Sequence, residues 1–339
     1  IPSLDKPEYL TQCVDLIVTH TIYPDYEIVI VDGGSQEGET LDLLAHLQTR
    51  TETSVRVVRI ANTPFDVATF ANAAAQEARG DYLLLLADDI RVFRPDWLSI
   101  LMRHGCREEV GCIGATIVKA PEARIDHAGY ILGLGGFAST PLHGEPADYA
   151  ADPLRMLTVQ RCVAALSATC MLVKVSDYRS IGGMDSTGTV GQYADIDFCL
   201  RLGQLGKRHV IASELQLVRQ GAPSLEPMIE SAIDLTKANL ALLKAQEEMF
   251  VRWENHFSSS IFWNRHLNRT QSTVCLELSA IPSWHVTPYT APRLMVFPVN
   301  SIQGTIRVTQ PCMAARFAGK AHTCIFHWDH DSQIGRAHV

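Results

Sequence analysis

The run Tyr26-Glu27-Ile28-Val29-Ile30-Val31-Asp32 leaves this chain few architectures. It is an almost unbroken apolar, β-branched stretch that stops at an acid and passes into Gly33-Gly34-Ser35. A strand without polar alternation is buried on both faces, which is the habit of parallel sheets covered by helices on each side. Val55–Ile60 reads as a second strand and Asp81–Ala87 as a third, the latter ending in Asp88-Asp89. Between them, Phe65–Arg79 is alanine-rich with helical periodicity, and Gly80 supplies its stop. A helix from about Pro95 to His104 closes at Gly105, with Pro95 near its first turn. Cys112–Lys119, Thr169–Val175 and Arg208–Ala212 read as further strands, and Tyr193–Leu205 as a helix ended by Gly206. Strands alternating with helices predict an α/β fold with a mostly parallel sheet.

Past this unit the pattern changes. Leu225–Phe257 is helical and amphipathic, and Ile281–Pro298 is a proline-bearing linker with a new strand at Leu294–Phe297. Gly129–Gly136 is a glycine-rich loop region that lacks the strand and distant acid of a dinucleotide fingerprint. An apolar strand is missing before the first helix, and Ile334–Val339 reads as a non-native tail, so the chain is expected to be a fragment of a longer reading frame.

With 339 residues, 47 % of them hydrophobic, the chain has the means for a packed core. Its formal charge of −8 argues against a protein that coats nucleic acid. No apolar run approaches the roughly 20 residues that span a bilayer. The 9 cysteines form no C-x-x-C pair and sit mostly among apolar neighbours, so they read as buried thiols.

Chemistry is expected at strand ends, where open α/β sheets bind ligands. Asp32 alone is also what a turn or helix cap would use. Asp88 and Asp89 together bring two negative charges to one strand end, an arrangement that a divalent cation with a nucleotide diphosphate would satisfy. Asp195-Ile196-Asp197 opens a helix. These acids either complement the helix dipole or offer one carboxylate as a general base, because adjacent helical positions do not share a face.

The segments Tyr26–Ser35, Phe65–Asp89, Ile181–Asp185 and Tyr193–Arg201 occur in the order and spacing of family 2 glycosyltransferases with the GT-A fold. Ile125–Gly136 and Phe262–Leu267 fit a subgroup similar to bacterial enzymes of O-antigen and other surface polysaccharides. The resemblance covers about residues 1–278. It implies a GT-A domain over 1–222 without its first strand, with a mostly parallel mixed sheet flanked by helices, and a helical extension over 223–278. Beyond these, 334–339 is expected to be the non-native tail, and 279–333 a linker and the truncated start of a second Rossmann-like domain. The last of these domains is expected to be weakly ordered or docked on the first.

What the resemblance implies for function is an inverting transfer of sugar from a nucleotide-diphospho-sugar donor to a hydroxyl of a glycan or lipid-linked acceptor. Pro2 and Ser3 would edge the nucleotide pocket, Asp32 would hold the base, and Ser35 and Asp88 would lie along the nucleotide, Asp88 near the ribose. Asp89 would hold Mg²⁺ or Mn²⁺, and Asp195 would be the catalytic base. No nucleic-acid partner is implied, and the place implied is cytoplasmic, with at most peripheral contact at the inner membrane face. The alternative is a non-catalytic nucleotide-binding module of a polysaccharide-assembly protein. Two departures motivate it. Ala87 stands at the first acidic position of the family's D-x-D motif, and Leu215–Gln220 lacks the histidine the family often places there. Arg219 in that stretch reads as a surface arginine or a diphosphate contact, and His127 as a structural histidine.

Overall fold

The computed structural model describes residues 1–50, 54–60, 66–148, 152, 154–186, 188–221, 232–258, 261–264, 266–269, 272–276, 293–296, 303, 305–317 and 322–325. The first half alternates as predicted: β1 (Pro2–Ser3), α1 (Pro7–His20), β2 (Glu27–Asp32), α2 (Gly38–Gln48), β3 (Ser54–Arg59), α3 (Val67–Glu77), β4 (Tyr82–Leu86), β5 (Ile90–Arg91), α4 (Trp97–Gly105) and β6 (Val110–Lys119). A run of short strands follows: β7 (Arg124–His127), β8 (Ile131–Leu132), β9 (Ala138–Ser139) and β10 (Arg161–Val163). Then come β11 (Cys170–Lys174), α5 (Val175–Ser180), α6 (Ala194–Gln204), β12 (Arg208–Arg219) and the long α7 (Ala232–Ser258).

Two sheets result. β1, β2 and β3 form a parallel sheet in that order, with Ser3 opposite Asp32. Pro2–Ser3 thus gives two residues of strand where the sequence predicts none. The second sheet runs β10-β12-β6-β11-β4, with β5 on β12 and β7 on β6. Only β6 and β12 are parallel in it; β11 is antiparallel to both β4 and β6. The expectation of mostly parallel pairing therefore holds for the N-terminal sheet, and the architecture as a whole is mixed. The reason is connection length. Parallel neighbours need a crossover of about a dozen residues, usually a helix. α1 and α2 supply these between β1, β2 and β3, whereas β6 and β7 are joined by a short link.

β12 is longer than predicted because it carries an irregularity. Its register against β6 shifts between Ala212 and Gln216, so the apolar pattern breaks where the strand continues. This continuation brings Arg219 to the end of the sheet.

Helices cover both faces. Leu10, Leu44, Leu101 and Leu172 share one core with α1, α2 and α4. Phe70, Met171, Val173 and Phe198 share the other with α3, α6 and α7. Adjacent residues Leu172 and Val173 of β11 thus go to opposite cores, as a doubly buried strand requires. α7 seals the second core with Met249, Trp253 and Phe257. Between β2 and β4 lies an apolar slot of about 720 Å³, lined by Val29, Leu84 and Trp97 among others.

Further along, β13 (Arg293–Val296) and β14 (His322–Ile325) pair in parallel, with α8 (Gln310–Phe317) between them in sequence. The expected linker before β13 and the tail 334–339 lie outside the described residues. The cysteines divide: Cys13, Cys112, Cys170 and Cys199 are buried thiols, but Cys106 and Cys162 are exposed.

Candidate active site

The carboxyl ends of the strands meet at a cavity of about 130 Å³. Lys6, Asp88, Asp195 and Arg219 are its charged lining residues, and Pro2, Phe70 and Leu85 are among its apolar ones. The turn Ser167–Ala168–Thr169, just before β11, also lines it. That turn is held from both sides. Ala87 N–H donates to the Thr169 carbonyl at 3.0 Å. Ser167 N–H donates to His127 Nε2 at 3.2 Å. Burial pushes His127 down to about 3, so its imidazole is neutral and accepts at that nitrogen. His127 is structural, as the sequence reads, and what it supports is the cavity lining.

Asp195 is the second residue of α6. Its Oδ2 accepts from Ala168 N–H at 3.2 Å and its Oδ1 from Ile196 N–H at 2.8 Å. Burial pushes its carboxyl up to about 6, while these N–H groups pull the other way. A carboxylate of that basicity inside a cavity is suited to accept a proton near neutral pH. Asp197 has a different fate. It is fully buried and accepts from Arg201 Nε at 2.7 Å and Trp253 Nε1 at 2.9 Å. Arg201 reaches on to the carbonyls of Ile181 and Gly183. Thus one acid of the pair faces the cavity and the other ties α6, α7 and the Ile181–Gly183 turn together. Gly183, at φ +77°, is required there: a Cβ would lie 2.4 Å from Asn72 Oδ1.

Asp88 lines the cavity and Asp89 lies behind it. Burial, and after it the charge of Asp89, pushes Asp88 up to about 6. Asp89 Oδ2 accepts from Arg219 Nε at 2.8 Å, while its Oδ1 is buried and accepts no hydrogen bond. Gly221 lets the chain after β12 pass close: a Cβ there would meet Asp89 Oδ2 at 2.7 Å. Ala87 offers no side-chain oxygen. The remaining set still fits a hard divalent cation. Mg²⁺ and Mn²⁺ are commonly held by one or two carboxylates plus substrate phosphates, and Asp89 Oδ1 is a buried lone pair without a donor.

A second group sits at the end of β2. Asp32 is 1 % exposed, and its Oδ1 accepts from Ser35 N–H at 3.0 Å and Ser35 Oγ–H at 2.6 Å. Its Oδ2 lies 3.4 Å from Arg59 Nε and accepts no hydrogen bond. Ser35 Oγ in turn accepts from Asp5 N–H at 3.1 Å, and Asp5 Oδ1 accepts from Gln36 and Glu37 N–H. The loops after β1 and β2 are thereby locked together, and Ser3, buried opposite Asp32, belongs to this group.

Of the residues singled out from sequence, Pro2, Asp88 and Asp195 line one cavity, and Asp89 joins them through Arg219. Ser3, Asp32 and Ser35 are outside its lining and connect to it through the β1–β2 ladder. Sequence reasoning missed Lys6, the Ser167–Thr169 turn and the burial of Arg219, which is 8 % exposed rather than on the surface. The signal for Arg219 was its place at the end of an apolar strand. Cys112, Cys199 and His209 also converge, with their ligand-type atoms within 4.8 Å of one another. His209 Nε2 is 2.7 Å from the Cys199 carbonyl and burial pushes both His209 down and the Cys112 thiol up, which is the behaviour of a packed core cluster.

Residues 1–133 match the glycosyl transferase family 2 model. An uncharacterized protein of Sinorhizobium fredii is 29 % identical over 290 residues, 85 % of this chain and 30 % of that protein. The O-antigen biosynthesis protein RfbC of Myxococcus xanthus is 30 % identical over 225 residues, 66 % of this chain and 17 % of that protein. The chain thus spans under a third of the length of these relatives. In fold it is similar to a mannosyltransferase of Pyrobaculum calidifontis solved with GDP-Man and Mn²⁺. The TM-score is 0.51 at 15 % identity, over 74 % of this chain and 62 % of that one. Residues 1–133 are thus similar to family 2 glycosyltransferases, and the fold is that of the GT-A glycosyltransferases. No helix among the described residues is long and apolar enough to cross a membrane.

Proposed function

We propose that this chain is an inverting glycosyltransferase that moves a sugar from a nucleotide-diphospho-sugar to a hydroxyl of a glycan or lipid-linked acceptor in surface polysaccharide synthesis. The observation that carries this reading is one cavity holding both the Asp88 end of β4 and the raised carboxyl of Asp195. Asp32, fixed by Ser35, keeps an oxygen without a hydrogen bond for the nucleotide base. Pro2 and Ser3 edge that pocket, and Asp88 faces the ribose. Asp195 takes the proton of the acceptor hydroxyl as its oxygen attacks the anomeric carbon. The bond from that carbon to the diphosphate oxygen breaks, its electron pair leaves with the nucleoside diphosphate, and the configuration inverts. Asp89, with Asp88 beside it, is the residue to hold Mg²⁺ or Mn²⁺, which when bound would neutralise the charge of the departing diphosphate. Work on a lipid-linked acceptor would place the chain at the inner face of the cytoplasmic membrane, by peripheral contact.

The test is a panel of nucleotide sugars scored by release of nucleoside diphosphate, with the product anomer read by NMR. The expected result is turnover of at least one donor with an inverted anomer, lost in Asp89→Ala and Asp195→Asn. Full activity in both variants, or a retained anomer, would overturn the reading. Binding of a nucleoside diphosphate without turnover of any donor would favour a non-catalytic module instead.

A further inference from the structure

Asp89 is the residue assigned to a divalent cation, yet one of its two oxygens already meets a cation of the protein. Arg219 is the last residue of β12, which pairs there with Lys119 of β6 and Ile90 of β5. Its Nε donates to Asp89 Oδ2 at 2.8 Å and its Nη1 to Asp126 Oδ2 at 3.1 Å. Asp126, on β7, is mostly buried too, at 17 % side-chain exposure. The next residue, Gln220, is also fixed: its N–H donates to the Asp89 carbonyl at 3.1 Å and its side chain accepts from Arg91 Nη2 at 2.8 Å. The guanidinium is therefore held between two carboxylates on one side while the residue lines the cavity beside Asp88 and Asp195 on the other.

A planar guanidinium held by two acids keeps its charge and is an effective partner for phosphate oxygens. The arrangement also divides the work at Asp89. Oδ2 orients Arg219, and Oδ1 stays buried without a hydrogen bond. Resting on the glycosyl-transfer reading above, we infer that Arg219, oriented by Asp126, is a permanent positive charge for the donor's diphosphate, so that the site grips a nucleoside diphosphate even without a divalent metal. On this account Arg219 contacts the leaving group, and Asp126 is a positioning residue that acts through it.

Binding of UDP, GDP and dTDP to the whole chain, each compared with its uncharged nucleoside, tests this by calorimetry in EDTA and again with Mn²⁺. The wild type is expected to prefer the diphosphate over the nucleoside in EDTA. Arg219→Gln should lower diphosphate affinity about 10- to 100-fold, the range for a lost hydrogen bond to a charged group, and leave nucleoside affinity unchanged. Its remaining affinity should also become more dependent on Mn²⁺ than that of the wild type, because both Asp89 oxygens are then open. A merely structural role would not produce that shift. Asp126→Asn, which keeps both the guanidinium and Asp89, should give a smaller loss in the same direction, and Arg219→Lys a partial one. Unchanged diphosphate affinity in Arg219→Gln and Asp126→Asn would overturn the inference and leave the glycosyltransferase reading intact. If the wild type binds neither diphosphate nor nucleoside, with or without Mn²⁺, the reading it rests on falls as well.

Discussion

Asp195→Asn is expected to lower sugar transfer by about two to four orders of magnitude, the usual contribution of a positioned general base. The amide keeps the shape and can still accept from Ala168 N–H through its oxygen, so donor binding should change little. With the carboxyl pushed up to about 6, the wild-type rate should rise with pH through about 6 and then level, as the base becomes deprotonated. Stability should move the other way. A carboxyl raised above its ordinary value of 3.8 binds its proton more tightly in the folded protein, so stability falls as pH rises from about 4 to about 6. Above that window the full cost of the buried charge remains. Asp195→Asn removes it, so at pH 8 the variant should be more stable than wild type by about 1–3 kcal/mol, and the gap should close as pH falls toward 4. A variant that is both inactive and more stable at pH 8 is what a functional acid in a partly desolvated site implies. Loss of activity with loss of stability would instead make Asp195 a structural residue. Thermal unfolding at several pH values beside the transfer assay reads both.

Two residues on, Asp197→Ala should do the opposite. Asp197 is fully buried and shared by Arg201, Trp253 and Arg252, with Arg252 Nη1 at 3.1 Å from its Oδ1. Removing one partner from a buried ion pair costs about 3–5 kcal/mol, because the other charge is left uncompensated. For a domain of this size that is roughly 10 °C in Tm. The same change frees Arg201 from the Ile181–Gly183 turn and Trp253 of α7 from α6. Proteolysis within α7 should therefore accelerate. An unaltered melting temperature would contradict the anchoring role. The contrast within Asp195-Ile196-Asp197 is the sharpest check on the site, since neighbouring acids are assigned catalysis and cohesion.

Much of the fold was legible because the doubly buried strands β2, β4 and β11 announce themselves as apolar runs, and because glycines mark helix ends. Strand direction was not. It depends on the connections around β7, β10 and β11, whose short strands carry no periodicity long enough to read. The end of β12 was hidden by its irregularity near Ser213, which broke the apolar pattern and took Arg219 off the sheet in the sequence reading. The acids at strand ends were found because charge at such a position is conspicuous. The Ser167–Thr169 turn was not, since its contribution lies in backbone N–H groups and in the support of His127, neither of which has a side-chain signature. Arg219 was visible as a residue, but its burial depends on Asp126, far away in sequence and adjacent only through the β6–β7 and β6–β12 ladders.

The most direct measurement is a crystal structure with an intact nucleotide sugar bound to Asp195→Asn. The account predicts the diphosphate against Arg219, the ribose at Asp88, the base at Asp32, and the anomeric carbon turned toward residue 195. A nucleotide sugar seated elsewhere, or one whose sugar points away from residue 195 while the diphosphate leaves Arg219 untouched, would contradict it.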